Sequence, residues 1–156
     1  MKKLLYIFLG LSLMFACSDD SGSDANAPDP DPVDETNPVY LDSNGVTIKA
    51  KDWAVVGDSG IIQGITYTVV DEAILRNMIF NEEDVTIIVT TKVTNMSSLM
   101  SNFADVSNFN QNIGGWDVSN VTNMNGMFNN ATIFNQDISN WDVSNVTLKP
   151  VSKRKN

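Results

Sequence analysis

The sequence predicts an α/β solenoid, a stack of short parallel strands and short helices, entered through a small N-terminal β cap and a disordered N-terminal tether. Two observations carry this. The string FNQNIGGWDVSNVTNM, Phe109 to Met124, returns as FNQDISNWDVSNVT, Phe134 to Thr147. Phe109 recurs as Phe134, Trp116 as Trp141 and Val121 as Val146, each 25 residues on. A fixed period of this size marks units that cannot bury an apolar face alone and stack to do so. Such a scaffold favours binding over catalysis.

The chain has 156 residues, room for one modest domain. Residues 1–16, MKKLLYIFLGLSLMFA, read as a secretory signal. Lys2 and Lys3 give a basic start, Leu4 to Phe15 an apolar run of 12, and Ala16 a small residue before Cys17. The run is too short to cross a bilayer core of about 30 Å as a helix. Cys17 is the only cysteine, so no internal disulfide can form. Its place after the apolar run resembles the lipobox of bacterial lipoproteins, whose cysteine is lipidated after cleavage. Met14 stands where that pattern prefers Leu. The expectation is a lipid anchor at Cys17, each buried CH₂ contributing roughly 0.8 kcal/mol. Plain signal cleavage leaving a bystander thiol is the alternative.

Residues 17–38 form the tether. Ser18 to Pro38 holds seven carboxylates, four prolines and no Lys or Arg. Such a stretch buries too little apolar surface to offset its ordering entropy, so it should be extended and disordered. Ser18, Asp19 and Asp20 resemble the acidic export signal of surface lipoproteins in the Bacteroidetes group; they could equally be the first acids of a solvating linker. Loss of the signal removes Lys2 and Lys3 and no acid, moving the formal charge from −9 to −11. That charge repels phosphate backbones, and nucleic acid is excluded as an expected partner. The basic tail, 149–156, is too short to reverse it.

Residues 39–70 read as the β cap. Gly45 to Ala50 follows an Asp42-Ser43-Asn44-Gly45 turn, Trp53 to Val56 reads as extended chain, and Ile61 to Val70 reads as a hairpin turning near Gly64. Asp71 to Phe80 is the strongest helix signal. Asp71 can cap it, Glu72 complements the dipole, and Ile74, Leu75, Met78 and Ile79 share a face. Asn81 is the expected stop. Counting back from Val93 puts Ile88 at the tryptophan position and Val85 at the Ile113 position, so 71–92 reads as a degenerate coil.

The clear coils are 93–120 and 121–145. Val93-Thr94-Asn95-Met96 and Val121-Thr122-Asn123-Met124 stand 28 apart, so the first coil carries three extra residues between Ser97 and Asn108. After each, Ser97 to Met100 and Asn125 to Phe128 read as short helical returns. The expected core is Ile113, Trp116, Val118, Val121, Met124 and Phe128, then Phe134, Ile138, Trp141, Val143 and Val146. Asn95 with Asn123, and Asn120 with Asn145, would form hydrogen-bonded rungs between strands about 4.8 Å apart. A third copy starts at Val146 and gives way to Leu148-Lys149-Pro150, ending the repeat region at 148. Stable stacks usually need about three repeats. The expectation is therefore a truncated member of a longer repeat series.

FNQDISNWDVSNVT and WDVSNVTNMNGMF resemble the BspA-like leucine-rich-repeat surface proteins of bacterial lipoproteins and some protists. The resemblance covers Val93 to Thr147 strongly and the preceding cap region more loosely, and implies a leucine-rich-repeat-like fold displayed at the cell surface, on the outer membrane of a bacterium. It also implies adhesion to host matrix proteins or to other microbes.

The chain has no histidine, which removes Cys–His and Ser–His machinery and His-ligated zinc. Asp117 and Asp142 lie one period apart and could form a carboxylate pair of glycosidase type, or share a Ca²⁺ ion. Asp before Val-Ser reads better as a turn cap. Trp116 and Trp141 could form a sugar-stacking ladder, but their apolar neighbours favour core packing. Asn110-Gln111 and Asn135-Gln136 could be an exposed ladder or a turn-satisfying pair. The expectation is a non-catalytic surface lipoprotein with no metal or cofactor, its membrane partner a lipid anchor. Its ligands are host or microbial surface proteins; a carbohydrate-binding lipoprotein and a non-functional fragment are the alternatives. No ligand-binding face is assigned.

Overall fold

The computed structural model describes residues 35–100 and 108–150. The signal segment, Cys17, the triplet Ser18, Asp19 and Asp20, the tether as far as Asp34, and the tail from Val151 lie outside the described residues.

The first sheet pairs β1 (Val39–Leu41) with β2 (Ile48–Ala50), antiparallel, with Val39 opposite Ala50. The connection is fixed by side-chain chemistry. Asn44 Oδ1 accepts from the amides of Val46 and Thr47, each at 2.9 Å, and Gly45 supplies the positive φ of 72°. The second sheet runs in the order β3 (Ser59–Ile62), β4 (Ile65–Val69), β5 (Ile88–Val89). Strands β3 and β4 make the hairpin expected around Gly64. Its two-residue loop has φ of 51° at Gln63 and 82° at Gly64, the handedness that matches strand twist.

Helix α1 (Glu72–Phe80) then carries the chain to β5, which pairs parallel to β4. Asp71 caps the helix as expected, its Oδ1 accepting from the Ile74 amide at 2.8 Å. Leu75 and Ile79 are buried. At the far end, the Glu82 and Glu83 amides donate to the Ile79 and Met78 carbonyls, at 3.0 and 2.9 Å. This is a Schellman closure, and its left-handed residue is Glu82, φ 59°, one place beyond the expected stop at Asn81.

Two apolar clusters hold the chain. Val39, Ile48, Ala50, Ala54, Val69 and Val89 bury the space between the sheets. The larger cluster joins Leu75 and Ile79 of α1 to Val85, Ile88 and the repeat residues.

The structure corrects the expectation of an α/β solenoid. Among the described residues there are two small sheets with five strands and one helix, and the sheets are not stacked parallel repeats. Beyond β5 the strand-like pairing between repeat copies among the described residues is limited to isolated parallel bridges, Asn95 to Asn123 and Asn123 to Leu148. The helical returns expected at Ser97–Met100 and Asn125–Phe128 are turns. The reason lies in the side chains. Asn95, Asn112, Asp117, Asn123, Asp137 and Asp142 each accept, through Oδ1, the amide two residues on, at 2.9 to 3.1 Å. That local bond competes with both helix and strand, and bends the chain every few residues.

Trp53–Val56 is likewise not extended. It lies in consecutive turns, with Val55 N–H donating to Asp58 Oδ2 at 2.9 Å. Ala54 alone of the four is buried; Trp53 is 52% exposed.

Candidate functional site

The repeated aromatic and acidic residues are the first candidates, and the structure places them in the scaffold. Ile113, Trp116, Val118, Val121 and Met124 are buried, as are Trp141 and Val146. Phe128, Phe134 and Ile138 are half-buried against the same cluster. Val143, expected in the core, is 44% exposed. Val118, its counterpart one period earlier, sits in a copy bonded on both sides, whereas Val143 belongs to the last described copy.

Each indole reaches back one copy. Trp116 Nε1 donates to the Val85 carbonyl at 2.9 Å, and Trp141 Nε1 donates to the Ile113 carbonyl at 3.1 Å. The two rings are nearly parallel, 4° apart in plane with centroids at 6.4 Å. Phe109 stacks on Phe134, and Phe134 on Phe128. A ring enclosed in this way offers no face to a sugar, so the indole ladder is not a ligand platform.

Asp117 is buried and fully engaged. Oδ1 accepts from the Ser119 amide and hydroxyl, Oδ2 from the Thr91 hydroxyl at 2.7 Å. Asp142 is exposed and caps its own turn through Ser144. Hydroxyl and amide donation from Ser144 holds its carboxyl below the usual range. The amide rungs are equally structural. Asn120 Nδ2 donates to the Thr91 carbonyl and Asn145 Nδ2 to the Ser119 carbonyl. Asn110 and Asn135 bond each other directly, Nδ2 to Oδ1 at 3.0 Å. Gln111 serves backbone, accepting from the Val85 amide and donating to the Glu83 carbonyl. Gln136 donates to the Asn110 carbonyl.

What the scaffold leaves unused lies elsewhere. A cleft of about 490 Å³ opens between the sheets and the turns that precede each tryptophan. This falls within the range of small-molecule pockets, about 300–1,000 Å³. One wall is apolar: Val46 and Ile48 on and before β2, Ile65 and Tyr67 on β4, and Ile87 and Ile88 entering β5. Ile65 and Tyr67 are two apart on a strand and so share a face. The polar part of the lining carries Asn112, Asp137 and Asn140 together with Thr86.

The close approach of these walls explains a sequence difference. Where the second copy has Ser139-Asn140, the first has Gly114-Gly115. The Ile48 amide donates to the Gly115 carbonyl at 2.9 Å, docking β2 against the repeat. A Cβ on Gly114 would lie 2.6 Å from the Asp137 carbonyl oxygen, and one on Gly115 would lie 3.3 Å from that of Val46. A side chain at either place would force the copies or the hairpin apart.

The polar wall is held in place. Asn112 Oδ1 accepts from the Gly114 amide and Asp137 Oδ1 from the Ser139 amide. Asn112 Nδ2, the Asn140 amide and the Tyr67 hydroxyl donate no hydrogen bond among the described residues. Donation from the Ser139 amide and hydroxyl keeps the Asp137 carboxyl below its usual range, so it is an acceptor at neutral pH. Thr86 similarly holds Asp84 low, through its hydroxyl and then its amide. Among the described residues no group of three or more acids or other ligands is placed to hold a metal ion, and no helix is long and apolar enough to cross a membrane.

The cleft residues were missed in the sequence because its walls come from 46–88 and 112–140. The signal that could have found them is the Gly114-Gly115 departure inside an otherwise repeated string.

A family model described as "Mycoplasma protein of unknown function, DUF285" matches residues 69–150, more than half of the chain. It takes in α1, β5, both repeat copies and the polar wall of the cleft. No curated protein and no solved structure matches.

Proposed function

The chain belongs to the DUF285 family, and we propose that it is a non-catalytic surface lipoprotein that recognises a host or microbial surface component through its cleft. One observation carries this reading. The repeated side chains with any chemistry to offer, Asp117, Trp116 and Trp141, are bonded within the scaffold. Among the described residues, pre-positioned polar groups share a lining with apolar ones in the cleft described above. The Asp117 carboxylate accepts three hydrogen bonds from Thr91 and Ser119 and is committed to holding its turn.

The lipobox-like position of Cys17 supports acylation there, and the acidic residues 18–38 support a solvated spacer between membrane and folded unit. Ser18, Asp19 and Asp20 fit display on the outer face of an outer membrane. Such display would bring the cleft to partners outside the cell. The resemblance of the WDVSNVT strings to BspA-like surface proteins supports adhesion.

The test is intact mass of the protein extracted from membranes, followed by binding of the same preparation to immobilised matrix proteins and glycans. A mass showing cleavage before an acylated Cys17, with binding abolished by Asn140→Arg in the cleft, supports the reading. An unacylated soluble protein, or binding indifferent to the arginine, overturns it.

A further inference from the structure

We infer that the cleft takes a neutral pyranose, with the ring's C–H face on Ile65 and Tyr67 and its hydroxyls on Asn112, Asn140 and Asp137. This rests on the recognition reading above and names the ligand class for the same site.

The chemistry of the two walls selects the ligand. A pyranose has an apolar C–H face and a rim of hydroxyls, each both donor and acceptor. Ile65 and Tyr67 share one face of β4, and present an apolar patch with a phenol at its edge. The same cleft is lined by two carboxamides, Asn112 and Asn140, and by the Asp137 carboxylate, whose usual pKa is lowered by Ser139. Planar amide and carboxylate groups side by side can bridge adjacent hydroxyls, accepting from one and donating to the next. Asn112 and Asp137 each give one oxygen to a turn. They are therefore held before any ligand arrives, which lowers the ordering cost of binding. The volume, about 490 Å³, accommodates a mono- or disaccharide.

The surroundings reject other occupants. Strand β4 is paired with β3 along Ile65 to Thr68 and with β5 at Thr68 and Val69, and the Ile48 amide is given to Gly115. Asp137 and the chain's formal charge of −9 disfavour uronates, sialates and phosphates.

The test titrates the full-length protein, purified in detergent, with methyl glycosides of glucose, galactose, mannose and N-acetylglucosamine, and with glucuronate. Amide and side-chain NMR shifts are followed. At least one neutral glycoside should shift Asn140, Asn112 and β4 resonances with saturable, millimolar or tighter affinity, while glucuronate does not. Asp137→Asn, which keeps the turn acceptor, and Asn140→Ala, at an exposed position, should each weaken binding about tenfold. Neither should alter the spectrum of the core. Binding elsewhere on the surface, binding insensitive to both variants, or preference for glucuronate overturns the inference. So does saccharide silence while the protein still captures an immobilised matrix protein, a result that leaves the recognition reading intact. Silence towards both overturns the two together.

Discussion

Replacing Trp116 with Phe should cost the fold distinctly more than the same change at Trp141. Trp116 is 1% exposed, and its indole N–H is the donor to the Val85 carbonyl at 2.9 Å. Phenylalanine leaves that buried carbonyl unpaired, which costs about 1–3 kcal/mol. The space vacated by the smaller ring adds about 1 kcal/mol. Trp141 is 9% exposed, and its bond to the Ile113 carbonyl is longer, at 3.1 Å. Water can reach part of that site, so about 1–2 kcal/mol is expected there. In urea, where the slope for a small domain is about 1–3 kcal/mol per molar, Trp116→Phe should lower the midpoint by roughly 1–2 M. Trp141→Phe should lower it by about half as much. The double variant should depart from additivity by about 0.5–1.5 kcal/mol, since the parallel rings contact each other. Equal costs at the two sites, or strict additivity, would refute the argument that each indole fastens its copy to the one before.

Three further outcomes follow from the geometry. Glu82→Gly should raise stability by up to about 1 kcal/mol in a thermal melt, because Glu82 holds a left-handed φ of 59° at the end of α1. Gly114→Ala should lower it by about 1–3 kcal/mol through contact with the Asp137 carbonyl, with Gly115→Ala milder; chemical unfolding of both variants checks the order. Acid should destabilise the protein. Lys49 lowers Asp42, and turn donors lower Asp84, Asp137 and Asp142. A depressed folded pKa gives stability that is present above the unfolded value of about 3.9 and lost as pH falls through the folded one. The urea midpoint should therefore hold from pH 7 to about 5 and fall below pH 4. Asp142→Asn, which retains the turn acceptor, should flatten that fall.

Different kinds of signal were legible to different depths. Helix α1 was readable because Asp71 and the spacing of Leu75 and Ile79 are local cues, and the cap bond forms between residues three apart. The β3–β4 hairpin was readable for the same reason, from Gly64. The period of 25 was plain in the residues, but it does not say what backbone fills the period. Strands and helical returns were expected from the apolar spacing. Asn95, Asn123 and their relatives instead hold the backbone in side-chain-closed turns, and only isolated bridges survive. Val143 looked like Val118 because the strings agree; their exposure differs because neighbours, not strings, decide burial. Trp53 and Val55 have the composition of a strand, yet the Asp58 carboxylate turns the chain there. The cleft had no local signature, since Tyr67 and Asn140 are brought together by docking of β2 on Gly115.

Hydrogen exchange at the three indole N–H groups tests most directly that the repeated residues fasten one copy to the next. Trp53 is 52% exposed and donates no hydrogen bond among the described residues, so it serves as the internal control. The account predicts that Trp53 exchanges at the rate of a free indole, that Trp141 is protected, and that Trp116 is protected most strongly. Exchange of Trp116 at the rate of Trp53 would contradict it.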